Sequence, residues 1–481
     1  PDISPGPESR KLKAAFFALS METTPEDKLN FVGFEGYINA KVLVEGLRRA
    51  GSDITRENFI DAIDSIRKYS LGIANTLSFG PDDHQGLERV YFTQIKDGKF
   101  VLLADWEKIR RARAVPGVTD TEIVLGSSLA LEGHAGYLGT QTLHGALAYI
   151  NFINEQGGIH GRKIRLIAYD DGYDPPRCVA NTRKLINEDK VFALFSYVGT
   201  PTSVKIIPIV EEEKIPLLGL FTGANALREP FKRYIINVRA SYYQETDAVV
   251  QRFVEDLDIN KIAVFYQDDD YGFDGLRGTE IGLAKYGLAP VATGSYVRGT
   301  LDVEEGLDRI IASDAEAVVM IGTSDPCAKF IKLARAKGFN PLFHNVSFVG
   351  SDELARKLGT EGEGVIITQV VPPPDETVLL PAAEDYALLL AQYYPQHTPT
   401  FVGFEGFINA KILVEGLRRA GKDLTREDFI DAIETLNTYF VGIGAKVSFG
   451  PDDHQGLSKV YFTRIEEGKA IMFTDGKGHR R

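Results

Sequence analysis

Only two cysteines, Cys178 and Cys327, occur in the 481 residues, and they stand far apart. Such a pair supplies neither a disulfide framework nor the close ligand spacing of a structural metal site, so both read as buried small hydrophobes. No apolar run approaches the length of a membrane span. Positive charge is in deficit. Lys and Arg number 54 against 67 Asp and Glu, for a formal net charge of −13. With no basic patch carrying interleaved aromatics, this balance argues against nucleic acid as a partner. The first residues, PDISPGPESRK, lack the apolar stretch of a secretory leader; if the protein is exported, its leader has been removed or was never part of this sequence. Enzyme signatures are missing as well: there is no GxxxxGK[ST], HExxH, CxxC or GxGxxG, and no GxSxG after a strand. The expectation is a non-enzyme without cofactor or metal.

What is present is a regular alternation of strand and helix. Residues 123–127 are a short apolar run ending in small polar residues, which reads as a buried strand. Residues 131–139 are rich in glycine and read as a loop. Leu143, Leu147, Ile150 and Phe152/Ile153 then form a helical stripe that stops at Gly157-Gly158, and residues 163–168 are the next strand. Strand, crossover helix and strand make a βαβ unit of a parallel sheet. Further helices are expected over 175–187, 204–212, 244–257, 276–286, 303–312 and 327–337. Further strands are expected over 192–196, 215–220, 234–238, 261–266, 291–295, 317–321, 342–345 and 364–370. The fold class is α/β, with enough strands for two doubly wound parallel sheets.

Ligands of open parallel sheets sit beyond the carboxyl ends of the strands. Those ends carry Ser127-Ser128 with Gly133, Gly136 and Gly139; Ser196-Tyr-Val-Gly-Thr; Phe221-Thr-Gly-Ala; Asp268–Tyr271; Gly322-Thr-Ser-Asp; and Ser347. Hydroxyls and free backbone N–H groups suit a carboxylate, tyrosines offer apolar contact with a polar tip, and an acid can pair with an ammonium.

The chain also repeats itself. Residues 31–99 match 401–469 at a constant offset of 370: FVGFEGYINAKVLVEGLRRAG recurs as FVGFEGFINAKILVEGLRRAG, and SFGPDDHQGL is unchanged. About two-thirds of the aligned positions are identical, far beyond chance. In the second copy Thr425 and Asp428 form a helix start resembling a capping box, and a hairpin is expected around residues 466–469. His454, beside two aspartates, lacks further ligands for a metal. Residues 1–114 therefore read as a partial module plus a charged linker at 106–114. Residues 115–481 read as a complete module. A fragment of helices and a hairpin without a parallel sheet does not bury its apolar faces alone. It is expected to dock against the main module, a symmetry mate or a missing half, with a segment-swapped dimer as one outcome.

The order and spacing of VTDTEIVLGSSLALEG, NEQGGIHGRKIRLIAYDDGYDP, the Gly-Thr-Pro-Thr-Ser turn, PLLGLFTGA and YQDDDYGFDG resemble the type I periplasmic binding proteins. The closest subgroup is the leucine/isoleucine/valine-binding receptors of ABC transporters. The resemblance implies two lobes joined by three hinge strands and closing on a small ligand. Lobe 1 would hold about 116–238 and 372–440; lobe 2 would hold about 241–369 and 445–475. By the same resemblance Gly199 and Thr200 match the carboxylate site. Thr222, Gly223 and Ala224 match the loop holding carboxylate and ammonium, and Tyr271 matches an aromatic of the second lobe. Thr323 and Asp325 fall near another aromatic position. Ser347 stands where the family has the acid that pairs with an ammonium, a departure that Asp325 or one of Asp268–Asp270 would have to offset. Ser128, His134 and Tyr137 lie on first-lobe loops facing the cleft, and Arg239 is expected at the hinge as an ion-pair partner. The implied function is a periplasmic or extracellular receptor for an amino acid or other carboxylate. Its membrane partner would be a permease or, alternatively, the signalling domain of a receptor of which this chain is the sensor.

Overall fold

The computed structural model describes residues 30–72, 76–88, 90–96, 99–103, 115–374 and 379–473. The charged segment 106–114 lies outside them. The chain divides into two units, Pro1–Lys108 and Ile109–Arg481.

In the first unit, α1 (Phe31–Ala50) begins at Asn30, whose side chain accepts a hydrogen bond from Gly33 N, and α2 (Arg56–Asp64) begins at Thr55. Strands β1 (Tyr69–Ser70) and β2 (Thr76–Leu77) pair antiparallel, as do β3 (Phe92–Lys96) and β4 (Lys99–Leu103). Ile66, Leu71 and Leu77 form its small core.

The second unit has two sheets. The first contains β5 (Glu122–Leu129), β6 (Lys163–Asp170), β7 (Ala193–Phe195), β8 (Leu217–Leu218) and β9 (Ile235–Ile236) in the order β6-β5-β7-β8-β9, all parallel. The second contains β10 (Ile262–Gln267), β11 (Thr293–Tyr296), β12 (Ala317–Ile321), β13 (Leu342–Asn345) and β14 (Ile366–Gln369). These run in the order β11-β10-β12-β13-β14 and are also parallel. Both orders follow the doubly wound pattern, whose switch point lies between the first strand and the third. The antiparallel hairpin β17 (Tyr461–Glu466) and β18 (Lys469–Met472) extends the second sheet beside β14. The expected α/β class with two doubly wound sheets is what the chain adopts.

Helices α3 (Gly136–Glu155), α4 (Pro175–Asn187), α5 (Thr200–Glu213), α6 (Tyr242–Gln251), α7 (Asp270–Ala284), α8 (Glu304–Ala312), α9 (Ser324–Ala336) and α10 (Ser351–Leu358) connect the strands. They are followed by α11 (Pro381–Tyr393), α12 (Phe401–Ala420) and α13 (Arg426–Glu434). The short pair β15 (Tyr439–Phe440) and β16 (Lys446–Val447) precedes the hairpin.

Several helices begin before their apolar stripe does. Helix α5 starts at Thr200 rather than 204, and α7 at Asp270 rather than 276, with Asp269 accepting from Tyr271 N. First turns at a strand end are made of hydroxyl, acidic and small residues that satisfy the free N–H groups, so hydrophobic periodicity misses them. The region read as one helix over 244–257 is α6 followed by a π-helical turn, Arg252–Asp256. The glycine-rich stretch 131–139 is also not a loop throughout: Gly136 and Gly139 lie in α3. A Cβ on Gly139 would fall 1.7 Å from the Ala130 carbonyl oxygen, so this glycine serves close packing of helix on strand rather than ligand approach.

Helix α12 is buried along most of its length. A Cβ on Gly145 of α3 would meet the Gly403 carbonyl oxygen at 1.8 Å, and one on Gly406 would meet the Thr142 carbonyl oxygen at 2.2 Å. Small residues thus let the two helices touch backbone to backbone. Phe404, Phe407, Leu413 and Leu417 fill the first-lobe core around this contact.

Candidate ligand-binding cleft

The strand ends of the two sheets meet in a cluster of aromatic rings. Tyr173 follows β6 and Phe221 follows β8, both in the first sheet. Tyr271 follows β10 and Phe348 follows β13, both in the second. The Phe348 centroid lies 5.9 Å from Tyr173, 5.6 Å from Phe221 and 4.7 Å from Tyr271. All four rings are 0–1% exposed. Tyr242 joins them, 5.3 Å from Tyr271.

Beneath the rings lies a shelf of hydroxyls and backbone at the head of α5. Gly199 has φ +102°, and a Cβ there would stand 2.1 Å from the Tyr173 ring, so only glycine fits. Thr200 opens the helix, and its hydroxyl is 2.7 Å from that of Thr222. Ala224 N donates to Thr222 Oγ1 at 3.2 Å, and Gly223 O accepts from Tyr242 N at 2.8 Å. Ser196 is fully buried at the end of β7 with φ +61°, and its hydroxyl has no hydrogen-bond partner. Five expected residues, Gly199, Thr200, Thr222, Gly223 and Ala224, are therefore together. Tyr271 faces them across the cleft.

Ser128 acts one step back. Its hydroxyl donates to Asp171 Oδ2 at 2.8 Å, and Asp171 Oδ1 accepts from Tyr173 N at 2.9 Å. Burial lifts the Asp171 carboxyl to about 6, against those hydrogen bonds. This chain of contacts sets the Tyr173 ring.

Ser347 belongs to a buried ionic cluster. Arg239 donates to Glu245 Oε1 at 2.9 Å and lies 3.4 Å from both oxygens of Glu405; it also bonds the Ser347 hydroxyl. Glu245 further accepts from Ser347 N at 2.8 Å, Ser347 Oγ at 2.9 Å and Thr368 Oγ1 at 2.6 Å. Its two oxygens thus receive four donors, which leaves no place for a ligand ammonium. Burial opposes charge on Arg239, yet Glu405 and Glu245 hold its guanidinium above the ordinary value. Burial raises the Glu405 carboxyl to about 7, against the pull of Arg239. Glu405 is the member of the cluster that burial drives toward its protonated form.

The other expected residues lie at the rim or outside. The His134 ring sits 5.5 Å from Tyr173; burial, then Arg298, lower its pKa. Tyr137 faces Gly350 at the lobe boundary. Thr323 N donates to Tyr296 OH at 3.0 Å, which ties Thr323 into the second lobe. The half-exposed carboxylate of Asp325 pairs with Lys357. Of the other acids expected to offset Ser347, Asp269 accepts from Gln267 Nε2 at 2.8 Å and pairs with Arg298 at 3.3 Å. His454 Nε2 lies 3.1 Å from Glu434 Oε1, and among the described residues no three His, Cys, Asp or Glu gather as a metal site. A separate cavity of about 730 Å³, lined by Phe231, Lys232, Gln244, Lys446 and His454 among others, includes none of the residues of the aromatic cluster or the hydroxyl shelf.

Sequence reasoning did not nominate Tyr173, Phe221, Tyr242 or Phe348. Tyr173 and Phe221 stand inside the quoted motifs GYDP and GLFTGA, so position after a strand was the available signal. Phe348 carried none, because its neighbours come from three other loops.

The architecture and the strand-end cleft define a two-lobe solute-binding protein. The periplasmic binding protein family matches residues 1–99 and 122–470, and the chain belongs to that family. A crystal structure of a possible leucine/isoleucine/valine-binding protein from Rhodopirellula baltica SH 1 is similar at 37% identity with a TM-score of 0.71. The match covers 76% of this chain and 98% of that one. An amino acid binding protein of Pseudomonas aeruginosa is 26% identical over 251 residues, 51% of this chain and 67% of the relative. The Leu/Ile/Val-binding protein of Escherichia coli K12 is 23% identical over 240 residues, 50% of this chain and 65% of the relative. The chain thus spans about two-thirds of the length of these curated relatives. No helix among the described residues is long and apolar enough to cross a membrane.

Proposed function

We propose that this chain is an extracytoplasmic receptor that closes its two lobes on a small carboxylate-bearing solute and presents it to a membrane permease. The observation that carries this reading is the shelf at the head of α5: the Thr200–Thr222 hydroxyl pair, with an unpartnered, fully buried Ser196 hydroxyl at the end of the preceding strand. Helix N-terminal N–H groups together with hydroxyls that can turn toward a ligand favour an anion. The saturated Glu245 supports acids without an α-amino group over amino acids. Titration calorimetry with leucine and with 4-methylpentanoate tests both points. The amino-free acid is expected to bind more tightly, and Thr200→Val with Thr222→Val to weaken it at least tenfold. Equal binding by the double variant would sink the shelf as the carboxylate site; tighter binding of leucine would overturn the preference.

The near-duplicate of residues 401–469 favours a second reading, a sensor module of a signalling receptor, because a diffusing carrier needs one module. A membrane span and a kinase or cyclase pattern encoded downstream would decide for it. The duplicate also supports exchange between copies of the chain. Residues of the second copy that bond its surroundings, Glu405, Asn409 and Arg426, recur as Glu35, Asn39 and Arg56. Sedimentation is expected to show association that disappears when residues 30–103 are deleted; association unchanged by the deletion would rule the exchange out.

A further inference from the structure

We propose that Phe348 sets the size of the ligand, by occupying the place between the lobes that the apolar part of a larger carboxylate would take. This rests on the carboxylate shelf described above and adds a specificity residue to it. Phe348 is the second residue of a 3₁₀ turn, Ser347–Val349, that follows β13 of the second sheet. Its backbone is pinned on one side by Ser347, whose N–H and hydroxyl both bond Glu245. On the other side Gly350 has φ +73°, and a Cβ there would lie 3.0 Å from Leu138 Cδ2 of the first lobe. The turn is thus held by Glu245 on one side and packed closely against Leu138 and Tyr137 on the other.

From this fixed turn the Phe348 ring projects among Tyr173, Phe221 and Tyr271, two of them from the opposite lobe. The centroid separations, 4.7–5.9 Å, are those of rings in contact. A ligand whose carboxylate rests on Thr200 and Thr222 extends toward these rings. A phenyl group on such a ligand would compete with the Phe348 ring for the same aromatic box. Removing that ring leaves a ring-sized apolar cavity, and such cavities bind small aromatics.

The test is calorimetry of the full chain, wild type and Phe348→Ala, with propionate, 4-methylpentanoate and 3-phenylpropionate. The expected result is a reversal of preference: at least tenfold tighter 3-phenylpropionate binding by F348A, with several-fold weaker binding of the aliphatic acids. Phe348→Leu, which keeps the turn packed if F348A does not fold, is expected to fall between the two. If wild type and F348A rank the three acids alike, or if wild type already prefers 3-phenylpropionate, the role of Phe348 is overturned while the carboxylate shelf stands. If neither protein binds any of the acids, the shelf itself is wrong and this inference goes with it.

Discussion

The two copies of the repeat have nearly the same sequence and the same local structure, yet opposite surroundings. Helices α1 and α12 each span 20 residues, and each is capped by a side chain that accepts from a glycine N–H, Asn30 to Gly33 and Thr400 to Gly403. Within each copy the helix pair packs alike: a Cβ on Gly46 would meet Ile63 Cδ1 at 2.5 Å, and one on Gly416 would meet Ile433 Cδ1 at 2.5 Å. The outer faces differ. Phe31, Val44 and Leu47 are 58%, 53% and 38% exposed, whereas Phe401, Val414 and Leu417 are 5%, 0% and 0%. Caps, helix pairing and hairpins are decided by residues within a copy. Burial is decided by a partner surface, which α12 finds on α3 and the first sheet.

The largest effect should come from deleting core volume on one side of the comparison. Leu417→Ala is expected to cost about 2–5 kcal/mol in urea unfolding, and Leu47→Ala less than about 0.5 kcal/mol. A similar cost at both positions would mean that the first copy is buried in solution.

Next in size is a pH effect that arises in the second copy. Glu405 has its carboxyl raised to about 7 from an ordinary 4.5, chiefly by burial. The folded state then binds more protons than the unfolded one between these values. Stability should fall as pH rises from about 4.5 to about 7 and level off above, by on the order of 2–3 kcal/mol. Glu405→Gln should flatten this part of the profile, and a variant with the wild-type slope would remove Glu405 as its source.

Glycine to alanine should change sign between the copies. A Cβ on Gly406 meets the Thr142 carbonyl oxygen at 2.2 Å, while one on Gly36 meets nothing within 4 Å. Gly406→Ala should therefore destabilise by about 1–3 kcal/mol through overpacking. Gly36→Ala should stabilise α1 by up to about 1 kcal/mol, as alanine replaces glycine in a helix interior. Hydrogen exchange of α1 and α12 reads the two separately, and equal signs would break the comparison.

Much of the fold could be read from pattern because its elements are bounded by local chemistry. Helix α4 begins at the expected Pro175, after Asp174 whose side chain caps it, and ends at the expected Asn187. Strand β12 is an apolar run, and both β12 and β13 have the expected bounds. Helices α5 and α7 were placed late, since their first turns carry caps rather than apolar residues. The shelf was legible because hydroxyls and glycines at Gly199–Thr200 and Thr222–Ala224 stand out after apolar strands. The partner of Asp325 was not legible, because proximity in sequence to a strand end does not say which side chain another element will bring to it; here α10 brings Lys357.

By itself, the sequence determined the alternation of strands and helices, the caps, the repeat and the loops that carry hydroxyls, because each depends on residues within a few positions of one another. Only the tertiary structure decided that Phe348 would sit among Tyr173, Phe221 and Tyr271. It also decided that Arg239 would be shared by Glu245 and Glu405, and that one copy of a repeated helix would be core while the other stayed exposed. Those outcomes depend on which distant strand ends and helix faces meet, and the free energy of burying a ring or a charge belongs to that meeting rather than to the residue.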